Sequence, residues 1–292
     1  MMNNICKVNA WGMLFCVLII LFSSGCSNEE SEMESRAIAF DCSTVALRAA
    51  SSSVEEMQYF RVSAFWNKGA DGCETFMNDQ LVEKRNGSWV YSPMKYMPGY
   101  GSVSFFAYAP ASSAGFDEPV EITPASNRFS IKYTVSNDYQ QQEDLMVATK
   151  LNKTTSPISL SFKHALSFVN FQIRSESTNI DYRISKVELV NLYSQGELIG
   201  KENDEKTSDW YWEEDVLSAT TYTVYQKYPI DTHGTTFQDI GDVMVLPQKP
   251  IDFKIVVTYS EIGSGSELMK DLFLDPDFVF EMGKRYTFFL RL

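Results

Sequence analysis

Histidine is nearly missing from this sequence: His164 and His233 are the two in 292 residues. A Ser-His-Asp or Cys-His catalytic unit, or a histidine-rich metal site, is left with almost no material. Basic residues are outnumbered, 25 Lys and Arg against 38 Asp and Glu for a formal net charge of −13. No window gathers them into a stripe that could track a phosphate backbone, so nucleic-acid binding is excluded. Glycine (15) and proline (10) are sparse, which removes collagen-like fibres and long low-complexity segments. A sustained 3.6-residue period is also absent. Only a short window such as Ser53–Gln58, with Glu56 three residues after Ser53, could form a turn or two of helix. Asp275-Pro276-Asp277 lacks the remaining ligands and the glycine of a calcium loop. No cofactor and no metal is expected, and with no nucleophile and base to pair, the chain reads as a non-enzyme.

Aromatic residues, by contrast, are abundant: 5 Trp, 15 Tyr and 20 Phe within a 44% hydrophobic chain can fill a substantial core and favour β structure. Period-2 alternation recurs along the sequence. Phe129, Ile131, Tyr133 and Val135 share one face, as do Ile158, Leu160 and Phe162, and Ile251, Phe253, Ile255, Val257 and Tyr259. The last strand, Lys284 to Leu292, puts Tyr286, Phe288, Leu290 and Leu292 on one side. Further strands are expected at Ala37–Cys42, Tyr59–Trp66, Ser102–Ala109, Asp144–Ala148, Val169–Arg174, Val187–Leu192, Tyr222–Tyr228 and Val243–Leu246. One wet face and one buried face is the pattern of antiparallel sandwiches. About a dozen strands exceed one seven-stranded sandwich. The chain is therefore expected to be all-β, with two β-sandwiches in tandem, residues 37–152 and 153–292, divided near the polar stretch Leu151–Pro157.

Residues 1–25 read as a signal peptide, with Lys7 ahead of an apolar run of 12 residues from Trp11 to Phe22. Crossing a bilayer takes about 20 residues, so this run does not span one. Ser23-Ser24-Gly25-Cys26 resembles a bacterial lipobox, with Cys26 the lipidated residue and the outer membrane the partner of the lipid. Residues 26–36 form a polar, acidic tether, and in Bacteroidetes lipoproteins such a stretch resembles a surface-export signal. With Cys6 and Cys16 leaving in the signal and Cys26 acylated, Cys42 and Cys73 remain, and their pairing is left open.

His164 is in register with Ile158, Leu160 and Phe162 and is expected as a buried imidazole bonded to backbone, whereas His233 lies in a polar loop. Trp210 and Trp212, flanking Tyr211, could stack on sugar rings from a strand edge or fill core positions.

A set of motifs in fixed order resembles the Bacteroidales fimbrillins, the Mfa-like or FimA-like type V pilin subunits. After the lipobox come Phe60-Arg61-Val62-Ser63-Ala64-Phe65 and Tyr91-Ser92-Pro93-Met94-Lys95-Tyr96-Met97-Pro98 ahead of Val103–Pro110. Then follow Asp144-Leu145-Met146-Val147-Ala148, Phe162-Lys163-His164-Ala165-Leu166-Ser167, Val187-x-Leu189-x-Asn191, Val245-Leu246-Pro247-Gln248 and Gly283-Lys284-Arg285-Tyr286-x-Phe288. The resemblance implies two transthyretin-like sandwiches and a lipid-anchored precursor. It further implies a trypsin-like cut after an Arg that follows the first strand, and polymerisation with other pilin subunits by strand donation. Ala37, Ile38, Ala39 and Phe40 match the removable strand, Arg48 the cleavage site with Arg36 competing, and Tyr286, Phe288, Leu290 and Leu292 a donor strand. That donor pattern equally fits the last strand of its own sandwich. Losing a central strand exposes unpaired backbone groups and an apolar trough, and an incoming strand restores both. An adhesive face toward a host or bacterial surface ligand belongs to the same expectation. The rival is a monomeric glycan-binding surface lipoprotein using Trp210 and Trp212, and a secreted hydrolase ranks below both.

Overall fold

A computed structural model describes residues 36–44, 56–123, 128–202, 208–213, 219–225 and 229–292. The first half contributes strands β1 (Phe40–Thr44), β2 (Tyr59–Asn67), β3 (Cys73–Arg85), β4 (Ser88–Val90), β5 (Ser102–Ala109), β6 (Glu121–Thr123), β7 (Arg128–Thr134), β8 (Met146–Lys153) and β9 (Ile158–His164). The second half contributes β10 (Ser167–Arg174), β11 (Tyr182–Tyr193), β12 (Gln195–Glu202), β13 (Ser208–Glu213), β14 (Ala219–Tyr225), β15 (Ile230–Asp231), β16 (Gln238–Val245), β17 (Lys254–Glu261), β18 (Glu267–Phe273) and β19 (Arg285–Arg291). Short 3-10 turns are formed at Gly69–Asp71 and Tyr139–Gln141.

The first sheet runs β1-β9-β8-β5-β2-β3-β4 and curls until β1 approaches β4. Its two faces feed two cores, and β5 shows why. Val103, Phe105, Ala107 and Ala109 point inward with Phe60, Val62, Ile158, Leu160 and Phe162. The alternate residues Phe106 and Tyr108 pack outward on Phe129, Ile131 and Tyr133 of the sheet β13-β12-β7-β6. A strand buried on both faces reads as a nearly unbroken apolar run, as Ser102–Ala109 does.

The second sandwich faces the sheet β16-β10-β19 with the sheet β14-β11-β17-β18. Val169, Phe171 and Ile173 meet Val187, Leu189, Ile255 and Val257 in a core continuous with the outward face of the first sheet. Pairing of β19 with β10 is parallel, from Phe168↔Arg285 to Arg174↔Arg291.

Around the expected division, β9 stays in the first sheet, and the chain passes through 165–166 to the sheet β16-β10-β19. The hairpin β12–β13 also crosses back, with β12 pairing β7 from Gln195↔Thr134 to Lys201↔Arg128. Alternation reports which face of a strand is buried, not which strand lies beside it. In the same way Ile251 leaves the predicted stripe and is 67% exposed, because Asp252 turns with φ +52° before β17 begins.

Trp210 and Trp212 lock the crossing hairpin in place. The Trp210 indole N–H donates to Thr149 Oγ1 at 2.8 Å, and that of Trp212 donates to Ala165 O at 2.8 Å. A Cβ on Gly200 would lie 2.7 Å from the Trp210 ring, which its hydrogen bond prevents from yielding. Gly200→Ala is expected to cost about 1–3 kcal/mol from overpacking, read as a lowered thermal midpoint. An unchanged midpoint would show that the ring gives way.

Candidate functional site

The first described segment, residues 36–44, is held differently along its two flanks. At its start, Met97 N–H donates to Arg36 O at 2.8 Å and Ile38 N–H to Lys95 O at 2.9 Å, around an antiparallel bridge Ala37↔Tyr96. The Arg36 guanidinium donates to Met97 O through Nε at 3.2 Å and Nη2 at 2.7 Å, and Tyr91 OH donates to Ile38 O at 3.0 Å. On the opposite flank Ile158 N–H donates to Ala39 O at 2.8 Å, and Ala39 N–H to Ser156 Oγ at 2.9 Å. From there β1 runs parallel to β9, from Phe40↔Ile158 to Thr44↔Phe162.

Side chains of this segment alternate as the backbone requires. Ile38 and Phe40 are buried, whereas Ala39, Asp41 and Ser43 are exposed. The Phe40 ring lies 5.6 Å from Phe60, 5.5 Å from Tyr91 and 6.1 Å from Phe105, in edge-on or tilted contacts favoured by ring quadrupoles. Beyond Ile38 the segment borders a groove of about 400 Å³ shared with the β3–β4 hairpin, walled by Lys84, Gly87, Ser88 and Trp89. β1 is therefore an edge strand, not the central strand expected, and a sheet edge yields a strand with fewer hydrogen bonds broken. The Cys42 thiol, half-buried beside this groove, is pushed up to about 12 by burial and then by the Asp41 carboxylate. No disulfide joins Cys42 to Cys73.

Cys26 and Arg48 lie outside the described residues. Arg36 precedes β1, so a cut after it would leave β1 covalently joined to the body, whereas a cut after Arg48 would leave the strand held by contacts alone. Ala37, Ile38, Ala39 and Phe40 all lie in the seated segment, although the regular strand begins only at Phe40. The expected donor residues Tyr286, Phe288, Leu290 and Leu292 serve their own sandwich. Leu290 and Leu292 are buried, Phe288 stacks on Phe171 at 5.6 Å, and Leu292 N–H donates to Arg174 O. Trp210 and Trp212 are both half-buried against the core, with their N–H groups used internally.

Sequence reasoning missed the loop Tyr91–Met97 as the second wall of the site. Its motif was visible, but a backbone bridge to Ala37, 59 positions earlier, leaves no periodic signal. His164 is buried as expected, yet its Nδ1 pairs with Asp144 Oδ2 at 2.7 Å and not with backbone. His233 is exposed.

A larger cavity of about 750 Å³ includes Met57, Tyr59, Arg61, Leu81, Gln142 and Met244. Two of its polar side chains are already engaged: Arg61 donates to Ala111 O and Asp79 Oδ2, and Gln142 to Ser136 O and Met244 O. Among the described residues no cluster of three His, Cys, Asp or Glu side chains could hold a metal ion, and no helix is long and apolar enough to cross a membrane.

No curated protein matches the sequence. A family profile described as fimbrillin-like matches residues 48–292. Among solved structures the chain is similar to a candidate cell adhesion protein of Bacteroides uniformis ATCC 8492, with TM-score 0.52 and 14% identity over 88% of this chain and 92% of that one. It is similar to another from Bacteroides eggerthii DSM 20697, with TM-score 0.52 and 11% identity over 88% and 86% of the two chains. A third, from Bacteroides ovatus ATCC 8483, has TM-score 0.50 and 14% identity over 87% and 91%. At such identities the likeness is one of fold.

Proposed function

The chain belongs to the fimbrillin-like family, and on that premise we propose that it is a structural and adhesive fimbrial subunit. In this reading it is anchored through lipid on Cys26 at the outer surface, cut after Arg48, and assembled with other subunits by replacement of its first strand.

The observation that carries the reading is the seating of β1. Its inner side chains complete an apolar core, yet it is an edge strand, and the segment that ties it to β2 contains Arg48. Once that segment is cut, departure of β1 exposes Phe60 and Phe105 to water and strips the partners from the outer edge of β9. Both costs are removed when another strand enters, so completion of the fold supplies the driving force for assembly. The half-buried rings at Trp210 and Trp212, packed on the core with their N–H groups bonded internally, favour this reading over the monomeric glycan-binding alternative.

Mild trypsin treatment of the folded chain, followed by mass determination and sizing, tests the reading. A single early cut after Arg48 is expected, with loss of β1 and appearance of ladders, and Arg48→Ala should abolish both. The Cys42 thiol reports release: with its titration raised to about 12 it alkylates slowly at pH 8 while seated and at the rate of an ordinary thiol once the strand is free. A chain that is cut there but stays monomeric with Cys42 still protected would overturn assembly by strand replacement.

A further inference from the structure

We infer that the groove now filled by residues 36–44 selects its incoming strand by an aromatic side chain at the Phe40 position, on a strand entering parallel to β9. This inference rests on the strand-replacement reading above and specifies the partner that reading leaves undefined. The partner is an extended segment of another subunit with two requirements, both set by the present occupant.

The first is direction. Loop Tyr91–Met97 pairs with residues 36–38 in the antiparallel sense on one flank, while β9 pairs with residues 40–44 in the parallel sense on the other. A strand entering in reverse would exchange both senses, antiparallel to β9 and parallel to the loop, and would lose the particular set of bonds to Lys95 O, Met97 N–H, Ile158 N–H and Tyr91 OH that the present direction makes. About nine residues are needed to reach from the loop to the end of β9, or roughly 30 Å at about 3.3 Å per residue.

The second is the side chain at one position. Phe40 is enclosed by Phe60, Tyr91 and Phe105, and the Tyr91 hydroxyl also bonds Ile38 O. The same residue thus closes the aromatic cage and fixes the backbone two positions earlier. By contrast Cys42 is only half-buried beside the open groove, so a replacement at that position is weakly constrained. Recognition is concentrated at the cage, as binding energy is at other interfaces.

Strand exchange in the full chain tests this. A site-specific protease sequence is inserted in segment 45–55, so the result does not depend on where maturation occurs naturally. After cutting, a fluorescent peptide of residues 36–48 is added in excess and its incorporation followed by anisotropy and native mass spectrometry. Parallel arms use the same peptide with Phe40→Leu, with Phe40→Ala, and with its sequence reversed. Incorporation of the unchanged peptide is expected, with Phe40→Ala at least about 100-fold weaker, Phe40→Leu intermediate, and the reversed peptide excluded. An alanine peptide within about threefold of the unchanged one overturns aromatic selection, and equal uptake of the reversed peptide overturns the parallel sense. If the unchanged peptide never displaces the resident strand, strand replacement itself fails and the selection falls with it.

Discussion

Phe40→Ala in the uncut chain is expected to lower the unfolding free energy by about 3 kcal/mol, the lower end of the range for a buried phenylalanine. The ring fills space among Phe60, Tyr91 and Phe105, of which Phe60 and Phe105 lie on the central strands β2 and β5. Truncation therefore loses both transfer energy and ring contacts, and leaves a cavity. The edge position of β1 sets a ceiling on this loss. Once the penalty reaches the free energy that seats the strand, β1 undocks and further damage costs nothing more. Two measurements separate the regimes. Urea unfolding reports the global change, and the rate of Cys42 alkylation at pH 8 reports undocking. A parallel rise in alkylation, by more than about tenfold, is expected because modification tracks the open population. An unchanged urea midpoint with unchanged alkylation would show that Phe40 does not hold the strand.

The same strand shows how far sequence alone reaches. A strand was expected over Ala37–Cys42, and there Ile38 and Phe40 turn inward. What alternation cannot carry is the identity of a neighbour, so the parallel pairing with β9 and the bridge to Tyr96 were invisible. β7, β9 and β19 were legible for a simple reason: each has a clean apolar face, with Phe129, Ile131 and Tyr133 or Ile158, Leu160 and Phe162 buried in turn. β3 was not, since Asp79 at φ +47° breaks its regularity and its register with β2 slips near Ala64. The roles of Trp210 and Trp212 depended on the glycines of the facing strand: Gly200 lies opposite Trp210 and leaves room for its ring. That arrangement needs the strand pairing before it can be read.

A second large effect is expected where the two sandwiches join. Asp144 and His164 bond at 2.7 Å with side chains only 1% and 3% exposed, and the imidazole stands edge-on to Phe168 of β10 at 5.3 Å. Asp144 Oδ1 has no partner of its own, so this carboxylate depends on His164 for its side-chain compensation. Replacing the histidine leaves the buried Asp144 side chain without its partner, and His164→Ala is expected to cost about 3–5 kcal/mol. Asp144→Asn keeps an acceptor for Nδ1–H and removes the charge, so a smaller loss of about 1–2 kcal/mol follows. The decisive chain is the double variant Asp144→Leu with His164→Leu. If the pair is held as a mutually compensating unit, the double variant costs less than the sum of its single replacements, because neither leaves a polar partner stranded. Because β9 passes directly through His164 to the linker 165–166, the single variants should also loosen that linker, seen as faster amide exchange at Ala165, whose N–H donates to Leu145 O. Strict additivity of the two leucine replacements in urea unfolding would mean that the contact contributes packing alone, and the junction would then owe its order to the backbone bonds around Ala165 and Leu166.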